Sequence, residues 1–396
     1  MRPDQVRLTD PGHFEDLIKM KAVVFKGRET VALEDVPMPK IQAPTDVILK
    51  VRYSALCGRQ VLLFPHCSIT YRLTSLSELH VFRGHQASAT DFVMGHEFTG
   101  EVFEVGSGVR GFQKGDRVVS PFTISCGSCF FCEHGFSSRC AQSGLFGTVA
   151  LDGGQAEYVL VPLADSTLFT IPETIEEKRL VLMADIFPTG YFAAKNAFSD
   201  LSSQEISQST VLLFGCGPVG LCALVSALEY KPKTIIAIDR VSSRLETAQS
   251  LGAEPWNFEE KSLDDLKQRI QYLTDGRGAD FVIEVVGHSS ALRMGFDLLR
   301  PWGRISSVGV HNENIPWTGN EAYGKNLRLQ MGRCPVRSRN TSFHSAITAT
   351  ANYLKVYSVR LWSFFARNSI PLGTWPTLPI LYLMYSFLML TLLLAS

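Results

Sequence analysis

The chain has 396 residues, enough for two or three domains with cores of their own. Lys plus Arg number 38 and Asp plus Glu number 38, so no excess charge points to nucleic acid or an acidic membrane surface. Residues 1–19 are polar and include acids, with no apolar stretch of the kind a secretory leader needs; the cytoplasm is therefore the expected compartment.

The regular pattern begins at Met20, and 1–19 are expected to be a disordered or spurious extension. Lys21–Phe25, Val31–Val36 and Val47–Tyr53 read as short strands between Gly or Pro turns. Phe98–Val105, Arg117–Ser120 and Ala156–Val161 continue this all-β, barrel-type start. Arg59–Leu76 interrupts it with no period. A helical link is expected from about Ile175 to Phe198. From Val211 the texture changes: a continuous apolar run to Phe214, a glycine-rich turn and an apolar helix to Tyr230. Strand Thr234–Ile238, helix Ser242–Leu251, strand Phe281–Val285, helix Ser289–Leu299 and strand Arg304–Val310 follow. Strands alternating with helices of this length predict an α/β doubly wound parallel sheet.

Cys126, Cys129, Cys132 and Cys140 stand in a Cys-x2-Cys-x2-Cys-x7-Cys pattern. That spacing brings four thiolates within reach of one tetrahedral ion, and a closed all-sulfur set suits zinc. Four thiolates leave no open coordination position, so this lobe is structural. Gly215, Gly217 and Gly220 form G-x-G-x-x-G between the apolar strand and helix, and Asp239 closes the next strand. The first glycine permits the turn, the second lets amides approach a pyrophosphate, and the third lets helix and strand pack closely. Asp239 would accept from both adenosine ribose hydroxyls and repel a 2′-phosphate, favouring NAD over NADP; Arg240 beside it weakens that preference.

A second zinc would need three protein ligands and an open position. Cys57, His96 and an acid are the available set, with Asp185 placed just before Pro188-Thr189-Gly190 at the link between domains, where substrate clefts form. His96 also reads as an ordinary hydrogen-bonded polar residue, and both readings stay open at this level.

With Cys57-Gly58, Gly95-His96-Glu97, the four-cysteine lobe and the G-x-G-P-V-G turn with Asp239, the chain resembles the medium-chain zinc-dependent alcohol dehydrogenases over roughly Met20 to Arg337. Gly84-His85-Gln86, Asp185–Tyr191 and Gly332–Arg337 look closest to the branch of glutathione-independent formaldehyde dehydrogenases. The resemblance implies a GroES-like β-barrel catalytic domain joined to a Rossmann domain. It also implies two Zn2+ ions per chain, NAD as cofactor, a small alcohol or aldehyde substrate and a homodimer or homotetramer. Cys57, His96 and Asp185 would hold the catalytic zinc, with Glu97 behind them or as an occasional ligand. Ser77 would pass the alcohol proton and His80 carry it outward; Thr189 would lie beside the nicotinamide, Val219 behind its ring, and Arg244 near the adenosine ribose. The implied division is 20–180 catalytic domain, 181–313 nucleotide domain, 314–337 the start of a return to the first domain, and 338–396 an atypical apolar tail.

Two departures qualify the match. The family motif after Cys-Gly continues Ser/Thr-Asp/Glu-x-His, which here resumes only at Ser77-Glu78-Leu79-His80, so 59–76 reads as an insertion. Beyond Arg337 the likeness stops. Leu378–Ala395 approaches the ~20 apolar residues of a membrane span, although an artefactual or disordered tail fits its Pro376 and Pro379 better, and a membrane is not the expected partner. Alongside the active dehydrogenase stand two rivals: an inactive nucleotide- and zinc-binding homologue, and a tail-anchored membrane dehydrogenase. If 59–76 is non-coding sequence of whole-codon length read into the frame, the intact mass of the native protein will lack it; a native mass that includes it refutes that origin.

Overall fold

The computed structural model describes residues 18–55, 78–84, 87–172, 176–311 and 313–337. The insertion 59–76, the tail from 338, and Cys57, Ser77, His85 and Gln86 lie outside the described residues. The first domain contains β1 (Lys19–Gly27), β2 (Thr30–Pro37), β3 (Val47–Ser54), α1 (Glu78–Phe82), β4 (Phe98–Val105), β5 (Arg117–Ser120), α2 (Phe130–Glu133), β6 (Tyr158–Val161), α3 (Ala164–Thr167), β7 (Phe169–Thr170) and α4 (Glu177–Leu180). Strands β6-β3-β4-β5-β7 form an antiparallel sheet, and the β1-β2 hairpin leans on it through bridges Ala22–Ala156 and Val24–Val93. On β3, Val47, Leu49 and Val51 join the barrel core; Ile48 on the opposite face is also buried, and the alternation with outward residues sets in only at Lys50 and Arg52. Phe98 and Phe146 fill that core edge-to-face at 5.0 Å.

The second unit runs α5 (Ile186–Phe198), α6 (Ser203–Ser207), β8 (Thr210–Phe214), α7 (Pro218–Leu228), β9 (Thr234–Asp239), α8 (Ser242–Leu251), β10 (Glu254–Asn257), α9 (Leu263–Leu273), β11 (Ala279–Glu284), α10 (Ser289–Leu298), β12 (Leu299–Ser307), α11 (Gly319–Lys325) and β13 (Arg328–Met331). Its strands are all parallel in the order β10-β9-β8-β11-β12-β13. The chain moves outward from β8 through β9 to β10, then crosses back to β11, so the topological switch lies between β8 and β11. Both of those strands are buried along their whole length, as strands covered on two faces must be. The α/β doubly wound reading with a GroES-like first domain is the observed architecture.

Several boundaries differ from the sequence reading. The helical link is broken: α4 passes into a 3-10 turn at Val181–Met183, the chain bends at Asp185 (φ −146°, ψ −67°), and α5 starts afresh. Residues 314–331 do not begin a return to the first domain. They add α11 and β13 to the parallel sheet, β13 pairing with β12 from Arg304–Arg328 to Ser307–Met331. An edge strand whose residues are never fully buried carries little hydrophobic signal, so its sequence does not mark it as part of the sheet. β10 shows no strand pattern in the sequence because Pro255 interrupts it, which an edge strand tolerates. α9 buries only Leu266 and Ile270, but its Ser262/Asp265 capping box was a readable start. Strand β12 ends at Ser307, not Val310.

The true return starts at Gly332. Cys334 and Val336 join the core that also holds Phe122 of the first domain and Ala184, Ala193 and Leu221 of the second. Arg337 Nη2 then donates to Asp165 O at 3.2 Å. Among the described residues no helix is long and apolar enough to cross a membrane; Leu378–Ala395 lies outside them. Phe98→Ala, which empties a fully buried ring position, is expected to cost about 3–5 kcal/mol, seen as a lowered thermal midpoint of the zinc-loaded protein.

Candidate active site

His96 is positioned by backbone that leaves no room to move. Gly95 has φ +103°, and a Cβ there would meet Gln155 N at 2.6 Å. Gly154 N donates to Gly95 O and Gln155 N to Met94 O, each at 2.8 Å, which pins the turn against the strand leading to β6. The ring is then oriented from behind. Glu78, at the start of α1, accepts through Oε1 both from His96 Nδ1 at 2.8 Å and from its backbone N at 2.9 Å. With Nδ1–H committed to a carboxylate, Nε2 is the atom left to face the cleft. It lies 3.4 Å from Asp185 Oδ2 and 3.8 Å from Glu97 Oε1.

Asp185 reaches this point because the helical link breaks there. Phe122 N, just beyond β5, donates to Ala184 O at 3.0 Å, tying the bend to the first domain. Pro188 fits the first turn of α5, where no intrahelical N–H is required. Thr189 Oγ1 donates to Asp185 Oδ1 at 2.6 Å, fixing the carboxylate with its other oxygen towards His96. One imidazole and two carboxylates thus offer ligand atoms all within 4.8 Å of one another, from buried or half-buried residues. A neutral imidazole lone pair facing two carboxylates is repulsive unless a cation stands between them. The donor set therefore fits a divalent ion of zinc's ligand preference.

Of the other expected residues, Cys57 and Ser77 lie outside the described residues. His80 falls within α1. Glu78 was not singled out from the sequence, although it stands in the interrupted motif as the acid two residues before His80; holding the second nitrogen of a metal-binding histidine is what such a carboxylate does.

The four cysteines come together as the spacing implies, their Sγ atoms within 4.8 Å of one another and all free thiols. Backbone N–H groups of Cys126 and Gln142 point at Cys140 Sγ at 3.2 and 3.3 Å. Burial pushes the Cys126 thiol up, but amide donors from Ser128 and Cys129 and side-chain contacts to Cys140 and Ser128 outweigh it and bring it to about 6. Burial drives Cys132 up to about 12 and raises Cys140 too. Four sulfurs this close cannot all ionise without a cation, and the amides aimed at them suit thiolates.

In the dinucleotide turn, Gly215 has φ +92°, and a Cβ on Gly220 would lie 1.9 Å from Gly215 O. A Cβ on Gly217 would meet only Arg244 Nη1, at 3.9 Å, so this face is open to a ligand at the amino end of α7. Asp239 Oδ2 accepts from Cys216 N at 2.7 Å, and Oδ1 accepts from Arg240 N at 2.7 Å and Val241 N at 3.0 Å. Arg244 Nη1 stands 3.9 Å from Asp239, and Arg240 lies 3.8 Å from Glu259. Val219 packs on the core shared by α5 and α7.

Residues 43–173 match the profile of the alcohol dehydrogenase GroES-like domain, and 218–347 that of the zinc-binding dehydrogenase domain. A zinc-type alcohol dehydrogenase B of Aspergillus flavus is 62% identical over 320 residues, covering 81% of this chain and 70% of its own. The chain belongs to the medium-chain zinc-dependent alcohol dehydrogenase family. It is an NAD(P)-dependent oxidoreductase of the class acting on CH–OH groups. The solved structure of an alcohol dehydrogenase from Thermus superposes with a TM-score of 0.71 at 33% identity, covering 86% of this chain and 90% of its own. A glutathione-independent formaldehyde dehydrogenase of Bacillus subtilis is 34% identical over 285 residues, covering 68% and 67%.

Two outcomes follow for this dehydrogenase. Cys129→Ser should remove one zinc per chain and lower the thermal midpoint, with metal content read by atomic emission. Glu78→Gln should leave the cysteine-lobe zinc in place while weakening the His96-side ion about 10–100-fold, read by competition with a chelator.

Proposed function

We propose that the protein oxidises a small alcohol with NAD as hydride acceptor, or runs the reverse reduction, at the cleft bounded by His96, Asp185 and the dinucleotide turn. The observation that carries this reading is the orientation of His96: Glu78 takes Nδ1, and Nε2 meets Asp185 from the other domain. Asp185 opens α5, whose Gly190 packs directly on Cys222 and Ala223 of α7, and α7 begins at the cofactor turn. Metal ligand and nucleotide cradle are therefore joined by one helix-to-helix contact.

His96 and Asp185, with Cys57 as the expected third ligand and Glu97 behind them, would hold the catalytic zinc. When bound, that ion supplies Lewis-acid polarisation of the substrate oxygen and lowers the alcohol's pKa. The chain's own residues do the rest. Thr189 holds Asp185 by its hydroxyl at the edge where the nicotinamide is expected. By the family's pattern Ser77 would take the hydroxyl proton while giving up its own, and His80 would receive it. The packing of α5 on α7 sets substrate carbon against cofactor, the positioning that makes the transfer effectively unimolecular. Asp239 favours NAD: its carboxylate is locked by three backbone amides where a 2′-phosphate would have to stand, and Glu259 faces Arg240.

The finer assignment to the formaldehyde dehydrogenase branch is less well supported than a general alcohol substrate, since 62% identity to a zinc-type alcohol dehydrogenase outweighs 34% to a formaldehyde dehydrogenase. A cytoplasmic homodimer or homotetramer is the proposed working form. Metal analysis and NADH absorbance with a panel of alcohols, polyols and formaldehyde test the proposal. Two zinc ions per chain with alcohol-dependent NADH formation are expected; one zinc with NAD binding and no turnover would establish the inactive homologue instead. Asp239→Ala should raise the NADP-to-NAD ratio of kcat/KM by at least about tenfold, the size of a lost charge-assisted contact.

A further inference from the structure

A carboxylate with no exposure at all closes the carboxyl end of β11. Glu284 is fully buried and stands level with Phe214 on β8 and Ser307 on β12. Its Oε1 accepts from Gly287 N, in the turn that leaves β11. Its Oε2 accepts from Ser307 Oγ at 2.6 Å, at the end of β12, and from His311 Nε2 at 3.0 Å, in the turn beyond it. Val308 N adds a bond to Glu284 O at 3.1 Å. The imidazole side chain is itself only 6% exposed, and its Nδ1 is buried without a hydrogen-bond partner. Burying a carboxylate is costly, and so is leaving a ring nitrogen unpaired. Apolar side chains of the same volume would fill the space at lower cost, so packing does not account for the cluster.

What Glu284 fixes is the rim of the crevice at the topological switch. The turn it holds through Gly287 carries Val285 and Val286, and a Cβ on Gly215 would meet their Cγ2 atoms at 3.3 and 2.8 Å. A Cβ on Gly220 would likewise meet Val285 at 3.3 Å. The glycine turn therefore rests on the turn that Glu284 ties down. On the neighbouring strand, Val308 packs into the core that also contains Val219, Ala184 and Cys334. The strand order then says which part of a dinucleotide crosses these two ends. Asp239 closes β9 at the adenosine end, and Gly217 precedes α7 at the pyrophosphate. Asp185 precedes α5, which packs on β11 and β12. In the order β10-β9-β8-β11-β12-β13, a cofactor running from Asp239 past Gly217 towards Asp185 carries its nicotinamide half over the ends of β11 and β12.

We propose that Glu284 is a positioning residue for the nicotinamide half of NAD: by tying the turn after β11 to the end of β12, it fixes the two strand ends on which that half lies. The proposal rests on the reading of the glycine turn as the NAD site and of the His96–Asp185 cleft as the alcohol site. The alternative is a tie that serves folding alone, whose loss would weaken both halves of the cofactor alike or neither.

The test measures binding of NADH and of ADP-ribose, which lacks the nicotinamide ring, to the zinc-loaded full-length protein by titration calorimetry. Wild type is compared with Glu284→Gln, Ser307→Ala and Asp280→Asn, and the thermal midpoint of each is followed. Asp280 is the control at the opposite end of β11. It accepts from Thr210 N at 2.8 Å and from Arg300 Nε at 2.6 Å, so its loss loosens the same sheet at the edge away from the crevice. Glu284→Gln should raise the NADH dissociation constant about tenfold relative to that of ADP-ribose, and Ser307→Ala about threefold, the size of lost hydrogen bonds to a charged group. Asp280→Asn should lower the thermal midpoint and leave the ratio unchanged. An unchanged ratio in Glu284→Gln, or an equal change in Asp280→Asn, overturns the proposal. If Glu284→Gln does not fold, an unchanged ratio in Ser307→Ala overturns it in the same way. Variants that lose both nucleotides in equal measure overturn the positioning role alone, whereas a wild type that binds neither overturns the NAD-site reading as well.

Discussion

The hydrogen bond from Phe122 N to Ala184 O, 3.0 Å long, is the contact on which the chemistry of this protein depends. It fastens the end of β5 to the bend between α4 and α5, the point where a continuous helix would have carried Asp185 away from His96. Because the bend is fixed there, the first carboxylate of the second domain faces an imidazole of the first. Thr189 then locks that carboxylate from the other side. Without the bend, the protein would possess the same residues and no site.

The same junction explains why the two domains share a core. Val119 and Phe122 from the barrel, α5 and α7 from the nucleotide domain, and Cys334 and Val336 from the return segment form one buried cluster. Burying apolar surface across a domain boundary resists relative motion, and here it holds His96 and Asp185 in register with the glycine turn. Electrostatics is arranged around this apolar seam: carboxylates gather about His96, while the Arg333 guanidinium lies against the Phe122 ring. The cysteine lobe stands apart as a local staple, its fold set by four sulfurs and the amides aimed at them.

Motifs whose chemistry depends on close spacing were legible directly. The cysteine pattern needs only a short loop to close on one ion, and the glycine turn states its own geometry: the positive φ of Gly215 and the contact between Gly220 and Gly215 O follow from local backbone alone. The central strands were legible for a related reason, since β8 and β11 carry the short apolar runs Val211–Phe214 and Phe281–Ile283. The edge of the sheet was not. β13 exposes alternate residues, β10 contains a proline, and α11 buries nothing, so their membership is decided by pairing with neighbours rather than by pattern. The role of Glu78 is not legible locally, because it lies in hydrogen bonds from a residue distant in sequence, His96.

The sequence by itself determined the two-domain plan, the family, the structural metal lobe and the cofactor turn, because each rests on local spacing or on periodicity within a single element. Tertiary structure alone decided that Glu78 backs His96, which nitrogen of that ring faces the cleft, and where the chain turns back to the first domain. Those outcomes depend on contacts between residues far apart in the chain, such as Glu78 with His96 and Phe122 with Ala184, and no local pattern records them.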